Sequence, residues 1–473
     1  MKKEKNKKHH HRIVPVALIA LGIPVALVTI FLISANLLFH DEQPPNDSSL
    51  LLPNVTVADE DNAYTDIQKL DTDEQAVDLN NDQPSNDKSI DTMLNGGTWD
   101  DAHVTTLLTK YATVISDFHA AAKKLQYQDP YAAHPSTLTM YSPLPDVGTP
   151  RSVGRLVALE SIRKAKNGDI AGGLSEATEV VKLGDMIESG QGTLIQWLVG
   201  SATKLIGLTA LRQIGLQTTL TADQAKTTNQ AIETYRDSQV GLVKAMKSEY
   251  AYSILFYQQQ RDFGQAYDSY FLSTDSNGQQ LYRSTTGKIL SALDAMGLFR
   301  FYYWPNQNLR FMVEAREQLV DVAKTNCATG NLGEIYPPQR SQRSGFGRLL
   351  EPNAIGKLLA DIGRISYGGI VPKRCNESLA VSATQATFAI SAYQHDNGKP
   401  PVMLNELVPK YLANVPLDPY SGKVLNYDAA KKIVYSVGQD RKDEHGNTKK
   451  MTDYTTLGGD WQNMLDPTFV VGK

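Results

Sequence analysis

The side chains best suited to bind a metal or move a proton are nine histidines and two cysteines, and their spacing decides little. His9, His10 and His11 stand together among lysines and read as part of a basic tail. His40, His103, His119, His134, His395 and His445 are isolated from one another. His103 and His119 fall in helical sequence and read as exposed or hydrogen-bonded helix residues rather than catalytic bases. Cys327 and Cys375 form no C-x-x-C pair, and one disulfide in an oxidising compartment or two separate thiols are both open readings. No H-E-x-x-H, G-x-S-x-G, Walker A or G-x-G-x-x-G stretch occurs. Asp100-Asp101 reads as charge at a helix start, where acids complement the macrodipole. Any chemistry would need side chains that the fold brings together.

The first element that would position them is residues 13–39, which carry no charge and only Thr29, Ser34 and Asn36 as polar side chains. As a helix of about 1.5 Å per residue this run spans roughly 40 Å, enough for a hydrocarbon core of about 30 Å. Pro15 and Pro24 are tolerated in a membrane span. Lys2, Lys3, Lys5, Lys7, Lys8 and Arg12 precede the run, while Asp41, Glu42 and Asp47 follow it. The positive-inside rule then places residues 1–12 in the cytoplasm and everything beyond residue 39 outside, in a single-pass membrane protein. A cleaved signal peptide fits less well. Its apolar region is usually about 7–15 residues, and Ile33-Ser34-Ala35 puts a bulky residue where a small one is needed.

Residues 41–96 hold 14 Asp and Glu against Lys69 and Lys88. Such a composition buries too little apolar surface to offset ordering entropy, so 40–97 is expected to be a disordered acidic linker. A helical ectodomain is expected over 98–334. Leu156, Leu159, Ile162 and Ala165, then Leu174, Ala177, Val180, Val181 and Leu183, make the two stripes of an αα-hairpin like one tetratricopeptide unit. Residues 193–215 read as a buried helix whose only charges are Lys204 and Arg212. Thr221-x-x-Gln224 reads as a capping box opening one long helix through Ile254. Residues 264–286 read as a loop, and Phe299, Phe301, Tyr302, Tyr303 and Trp304 as core or a domain seam. A connector, 335–378, has one short helix near 355–365. The order of hairpins resembles an uncharacterised helical ectodomain of bacterial envelope proteins, which implies architecture and no chemistry.

Residues 379–473 form the last module. A helix ends at Asn397-Gly398 with Pro400 and Pro401 behind it, as a C-terminal glycine cap requires. An L-V-P-x-Y-L segment (407–412), a P-x-D-P segment (416–419) and a Y-S-x-G-x-D segment (435–440) follow. Short β-prone runs at 424–427 and 432–437 suggest an antiparallel pair, with Phe388, Ile390 and Tyr393 packing the helix onto it. Over 379–461 this resembles the globular part of the major pseudopilins of type II secretion. The resemblance implies calcium bound in the loop after Y-S-x-G. Asp440 matches the motif aspartate, Asp443 and Asp453 are the nearest further ligands, and Lys442, Lys449 and Lys450 oppose them. The chain departs from the family in its apolar segment. That segment holds no acid, and residues 40–378 separate it from the module, so processing and polymerisation as a pilin are not expected.

The expected fold is therefore mainly α: a transmembrane helix, a helical-hairpin ectodomain and a small α+β module with antiparallel strands. The expected role is a membrane-anchored extracytoplasmic structural or protein-interaction module, linked to a secretion or pilus-like assembly. Its partners would be the bilayer, through 13–39, and other envelope proteins. The alternative is an envelope hydrolase or small-ligand binder using the helical domain. A net charge of -4 gives no basic field for nucleic acid.

Overall fold

The computed structural model describes residues 40–72, 89–129, 148–236, 238–259, 272–274, 280–282, 299–332, 338–342, 347, 351–362, 369–450 and 460–472, with Ile30 and Ser34. Both of those lie in helix, and the rest of the expected membrane span lies outside the described residues. The chain is mainly helical, with a small three-stranded antiparallel sheet. It divides into two units. One comprises Leu50–Leu255, Arg316–Tyr336 and Ser366–Lys473, and the other Met1–Ser49, Phe256–Ala315 and Pro337–Ile365.

The larger unit begins with α1 (Tyr64–Thr72), α2 (Ile90–Leu94), α3 (Asp101–Lys110) and α4 (Ala112–Lys123). The first two fall inside the stretch expected to be a disordered linker, and here the expectation is corrected. Ala63, Tyr64, Ile67 and Leu70, and then Ile90, Met93 and Leu94, recur at helical spacing and are buried in the core. The mean composition of 41–96 hid these two short apolar stripes. Residues 73–88 lie outside the described residues.

Three long helices form the centre: α5 (Thr149–Lys166), α6 (Ile170–Ser189) and α7 (Leu194–Gln217). The α5–α6 hairpin is the expected one, and Asp169 caps α6 by accepting from the Gly172 N–H. Among the described residues α7 is the helix long and apolar enough to cross a membrane. It is a core helix here, packed against α5 and α6. Its approach to α6 is close enough to require glycine. A Cβ on Gly184 would stand 2.4 Å from the Lys204 nitrogen, and one on Gly200 2.6 Å from that of Glu188.

The long helix expected after Thr221 is two helices, α8 (Ala222–Glu233) and α9 (Gln239–Gln259). The predicted capping box is present at Thr221 and Gln224. The break has a physical cause in side-chain bonds to a later helix. Arg236 donates to the Ser378 carbonyl, Ser382 Oγ and Gln385 Oε1, and Ser238 donates to Glu377. A continuous helix would rotate these groups away from their partners.

In the smaller unit the predicted loop around 264–286 contains a hairpin, β1 (Leu272–Thr274) antiparallel to β2 (Gln280–Tyr282). Helices α10 (Phe299–Tyr302), α11 (Pro305–Ala323) and α12 (Ala354–Ile362) follow, and the unit boundary falls within α11. Phe301 and Tyr303 are buried, as expected for core aromatics. Asp41, expected to be in the tether, instead accepts from the Asn306 and Gln307 N–H groups at 2.8 and 3.1 Å, capping α11.

The chain closes on α13 (Ile370–Asn397), β3 (Asn426–Asp428), β4 (Ile433–Tyr435) and β5 (Thr468–Val470). The strands pair antiparallel in the order β3-β4-β5, with Tyr427 opposite Val434 and Val434 opposite Phe469. α13 starts well before residue 379, so it crosses the expected connector boundary. It packs on α7 and α8 as well as β4. Phe388 lies against Gly215 of α7. Gly398 ends α13 with φ 68° and its N–H on the Gln394 carbonyl, the predicted glycine cap. Cys327 and Cys375 form a disulfide with a Cα–Cα distance of 5.8 Å, which fastens α13 to the segment after α11.

Candidate functional site

Two motifs of the C-terminal module meet at one buried carboxylate. Asp418, from the P-x-D-P segment, is fully buried. Its Oδ1 accepts from the Tyr420 N–H and from Ser436 Oγ, at 3.0 and 2.6 Å, and its Oδ2 from the Val437 N–H at 3.2 Å. Ser436 belongs to the Y-S-x-G segment, so Asp418 ties the two motifs together. Tyr420 in turn donates to Asn376 of α13 at 2.7 Å. The spacing of these residues thus has a structural reason, independent of any ligand: a buried carboxylate must be saturated with donors.

Beyond Gly438 the chain enters the loop expected to bind calcium. Asp440 accepts from the Lys442 N–H, and Asp443 from the His445 N–H. Asp453, the third predicted ligand, lies outside the described residues. Two acids that sequence reasoning missed converge here. Asp466, fully buried before β5, accepts from the Gly446 and Asn447 N–H groups at 2.8 and 3.1 Å. Glu444 faces it. Burial raises the Glu444 carboxyl above its usual range, and Asp440 and Asp466 push further. Burial and then Asp443 raise Asp466. Glu444 Oε2 and Asp466 Oδ1 are buried oxygens that accept no hydrogen bond. Oxygen ligands in excess of donors fit a hard cation such as calcium. Asp466 was invisible from sequence because it lies across the sheet, 26 residues after Asp440 by numbering.

Comparison with known proteins adds nothing to this geometry. No family model, no curated protein and no solved structure matches the chain.

A second constellation is sealed inside the helical core. Lys204, Glu188 and Glu377, from α7, α6 and α13, have side chains that are fully buried. Lys204 Nζ contacts Glu188 Oε2, lies 2.9 Å from Asp185 and 3.7 Å from Glu377 Oε2, and donates to the Tyr235 carbonyl at 3.1 Å. Ser238 donates to Glu377 Oε2 at 2.7 Å and Ser201 to its Oε1. Burial and the neighbouring Glu377 raise Glu188 well above the carboxylate range. Burial would lower the Lys204 ammonium, but Glu188, Glu377 and Asp185 outweigh it and raise it. The sequence signal was one lysine in an otherwise apolar helix.

Arg212, the other charge on α7, is also buried. It donates to Thr384 and Thr209 and lies 5.2 Å over the Phe469 ring, joining β5 to the helical core. Burial brings its pKa down to about 10. Between α8 and the P-x-D-P segment runs a groove of about 590 Å³, lined by Asn229, Glu233, Arg236, Leu412 and Pro416. Leu417 and Val424, paired across an isolated bridge, are each 53% exposed beside it.

Proposed function

We propose that this protein is a membrane-anchored, extracytoplasmic interaction module of the bacterial envelope, linked to a secretion or pilus-like assembly. Residues 13–39 are the anchor and the two folded units lie outside the cytoplasm. The observation that carries the reading is the Cys327–Cys375 disulfide, since such bonds persist in oxidising compartments. It also supports a fixed role for the pseudopilin-like module. α13 is covered by α7 and α8 and clamped covalently, so it has no bare face with which to stack into a fibre. The exposed apolar side chains Val402, Met403, Leu417 and Val424 are the surface on which an envelope protein would dock. Calcium, held by Asp440, Asp443, Glu444 and Asp466, would rigidify the loop beside that surface.

The test is crosslinking in living cells followed by capture from detergent-solubilised membranes. The native chain is expected to hold a defined envelope protein that Leu417→Glu with Val424→Glu releases. A chain that yields no crosslinked partner, or one indifferent to those substitutions, contradicts the reading.

A further inference from the structure

Helix α6 carries a second charged cluster, half-open to solvent. Glu176 and Glu179 stand one turn apart on α6, Glu160 and Lys164 one turn apart on α5, and His119 comes from α4. His119 Nδ1 lies 2.7 Å from Glu179 Oε2. That contact fixes the ring and turns Nε2 toward Glu160, whose Oε2 is 3.7 Å away. Lys164 takes the other carboxylate oxygens. Its Nζ is 3.6 Å from Glu160 Oε1 and touches Glu176 Oε1. Left over are Glu160 Oε2 and Glu176 Oε2, both buried and both accepting no hydrogen bond. His119, Glu160 and Glu176 each offer one ligand atom, all within 4.8 Å of one another.

These are the parts of a metal site. A tetrahedral zinc with nitrogen and oxygen ligands at about 2.0–2.1 Å sets its ligand atoms roughly 3.3 Å apart, against 3.7 Å for His119 Nε2 and Glu160 Oε2 and at most 4.8 Å within the set. A carboxylate behind the histidine is the usual device for fixing its tautomer and orientation. Lys164 does the same for the two glutamates, holding their far oxygens and leaving the near ones. Three carboxylates against one ammonium and a neutral imidazole would balance two positive charges. An imidazole with two carboxylates suits zinc better than calcium, which takes about six to eight oxygens.

We propose that His119, Glu160 and Glu176 bind a divalent transition metal of the zinc class, with Glu179 orienting the imidazole and a fourth position left to water or a ligand. The site is independent of the envelope role above.

The test uses the full chain in detergent, with His9, His10 and His11 replaced by asparagine so that the tail cannot contribute. After dialysis against a chelator, calorimetric titration with zinc chloride is expected to show one site with a Kd of about 1 µM or below. Glu179→Gln should weaken it by about 10–100-fold, as loss of an orienting partner does. His119→Asn and Glu160→Gln should abolish it while melting as cooperatively as the parent. Cobalt(II) added to the parent should give the visible absorption of a four-coordinate nitrogen–oxygen site. Absence of zinc binding, or binding that survives His119→Asn and Glu160→Gln, overturns the assignment. So does a cobalt spectrum of the hydrated ion alone.

Discussion

Helix α6 faces two clusters of charge that differ in the groups they gather. At its C-terminal end Glu188, with Asp185, meets Lys204, and two serines supply the donors that Glu377 needs. About two to three turns earlier, Glu176 and Glu179 meet His119, Glu160 and Lys164, where Glu160 Oε2 and Glu176 Oε2 accept no hydrogen bond, as Glu188 Oε1 and Oε2 accept none in the first cluster. Exposure separates them as well. The Lys204 side chain is 0% exposed, whereas those of His119 and Glu160 are 22% and 24%. A sealed cluster must find its partners internally because water cannot help. An open one can leave room for a ligand. The lesson is that charge in a helical core marks structure where it is sealed from solvent and a candidate site where it is open.

Removing one lysine from each cluster should break this comparison most visibly. Lys204→Met strands two buried carboxyls and should cost about 3–5 kcal/mol in chemical denaturation. Lys164→Met, at the half-exposed cluster, should cost no more than about 1 kcal/mol. Equal losses would erase the distinction. Replacing Cys327 and Cys375 by serine removes a cross-link between residues 48 apart and should cost about 2–4 kcal/mol. Because the bond holds α13, which carries Glu377, that loss should be smaller in a Lys204→Met background than in the native chain.

The Asp440 loop is a third crowd of carboxylates, and here a cation is expected to take the place of Lys204. Calcium at about 100 times its Kd should add about 2.7 kcal/mol, read as a fall in Tm when a chelator is added. Asp466→Asn should remove that response. An unchanged Tm in both would dissolve the calcium assignment.

Titration gives a smaller effect than the calcium response. Glu160 and Glu179 raise His119 from 6.5 to about 9, against the opposing effect of burial. A raised histidine contributes stability that is complete below its unfolded pKa of 6.5 and is lost as pH rises through about 9. With solvent screening the loss should be on the order of 1–2 kcal/mol. His119→Asn should flatten the stability profile between these limits, measured without metal. The raised Lys204 lies outside this window, so its contribution should not change there.

What could be read from the residues was whatever depends on neighbours in the chain. The Thr221–Gln224 capping box, the Gly398 cap, the α5–α6 hairpin and the β3–β4 pair are all local. The misread elements were decided at a distance. α8 and α9 separate because Arg236 and Ser238 reach α13, and nothing near position 236 announces those partners. Ile67 and Ile90 looked like lone apolar residues in an acidic stretch until α4 and α5 supplied a surface for them. The clusters follow the same rule. Asp440 was legible through a motif, while Asp466, Glu377 and Glu179 join their clusters only through the fold.

The redox state of Cys327 and Cys375 in growing cells tests the proposed location most directly. Cells are quenched in acid, and thiols are then labelled with a heavy maleimide before and after reduction. The account predicts no mass shift before reduction and a two-label shift after it, from a chain found in the membrane fraction. Two labels without reductant would mean free thiols in a reducing compartment, and would contradict an extracytoplasmic body.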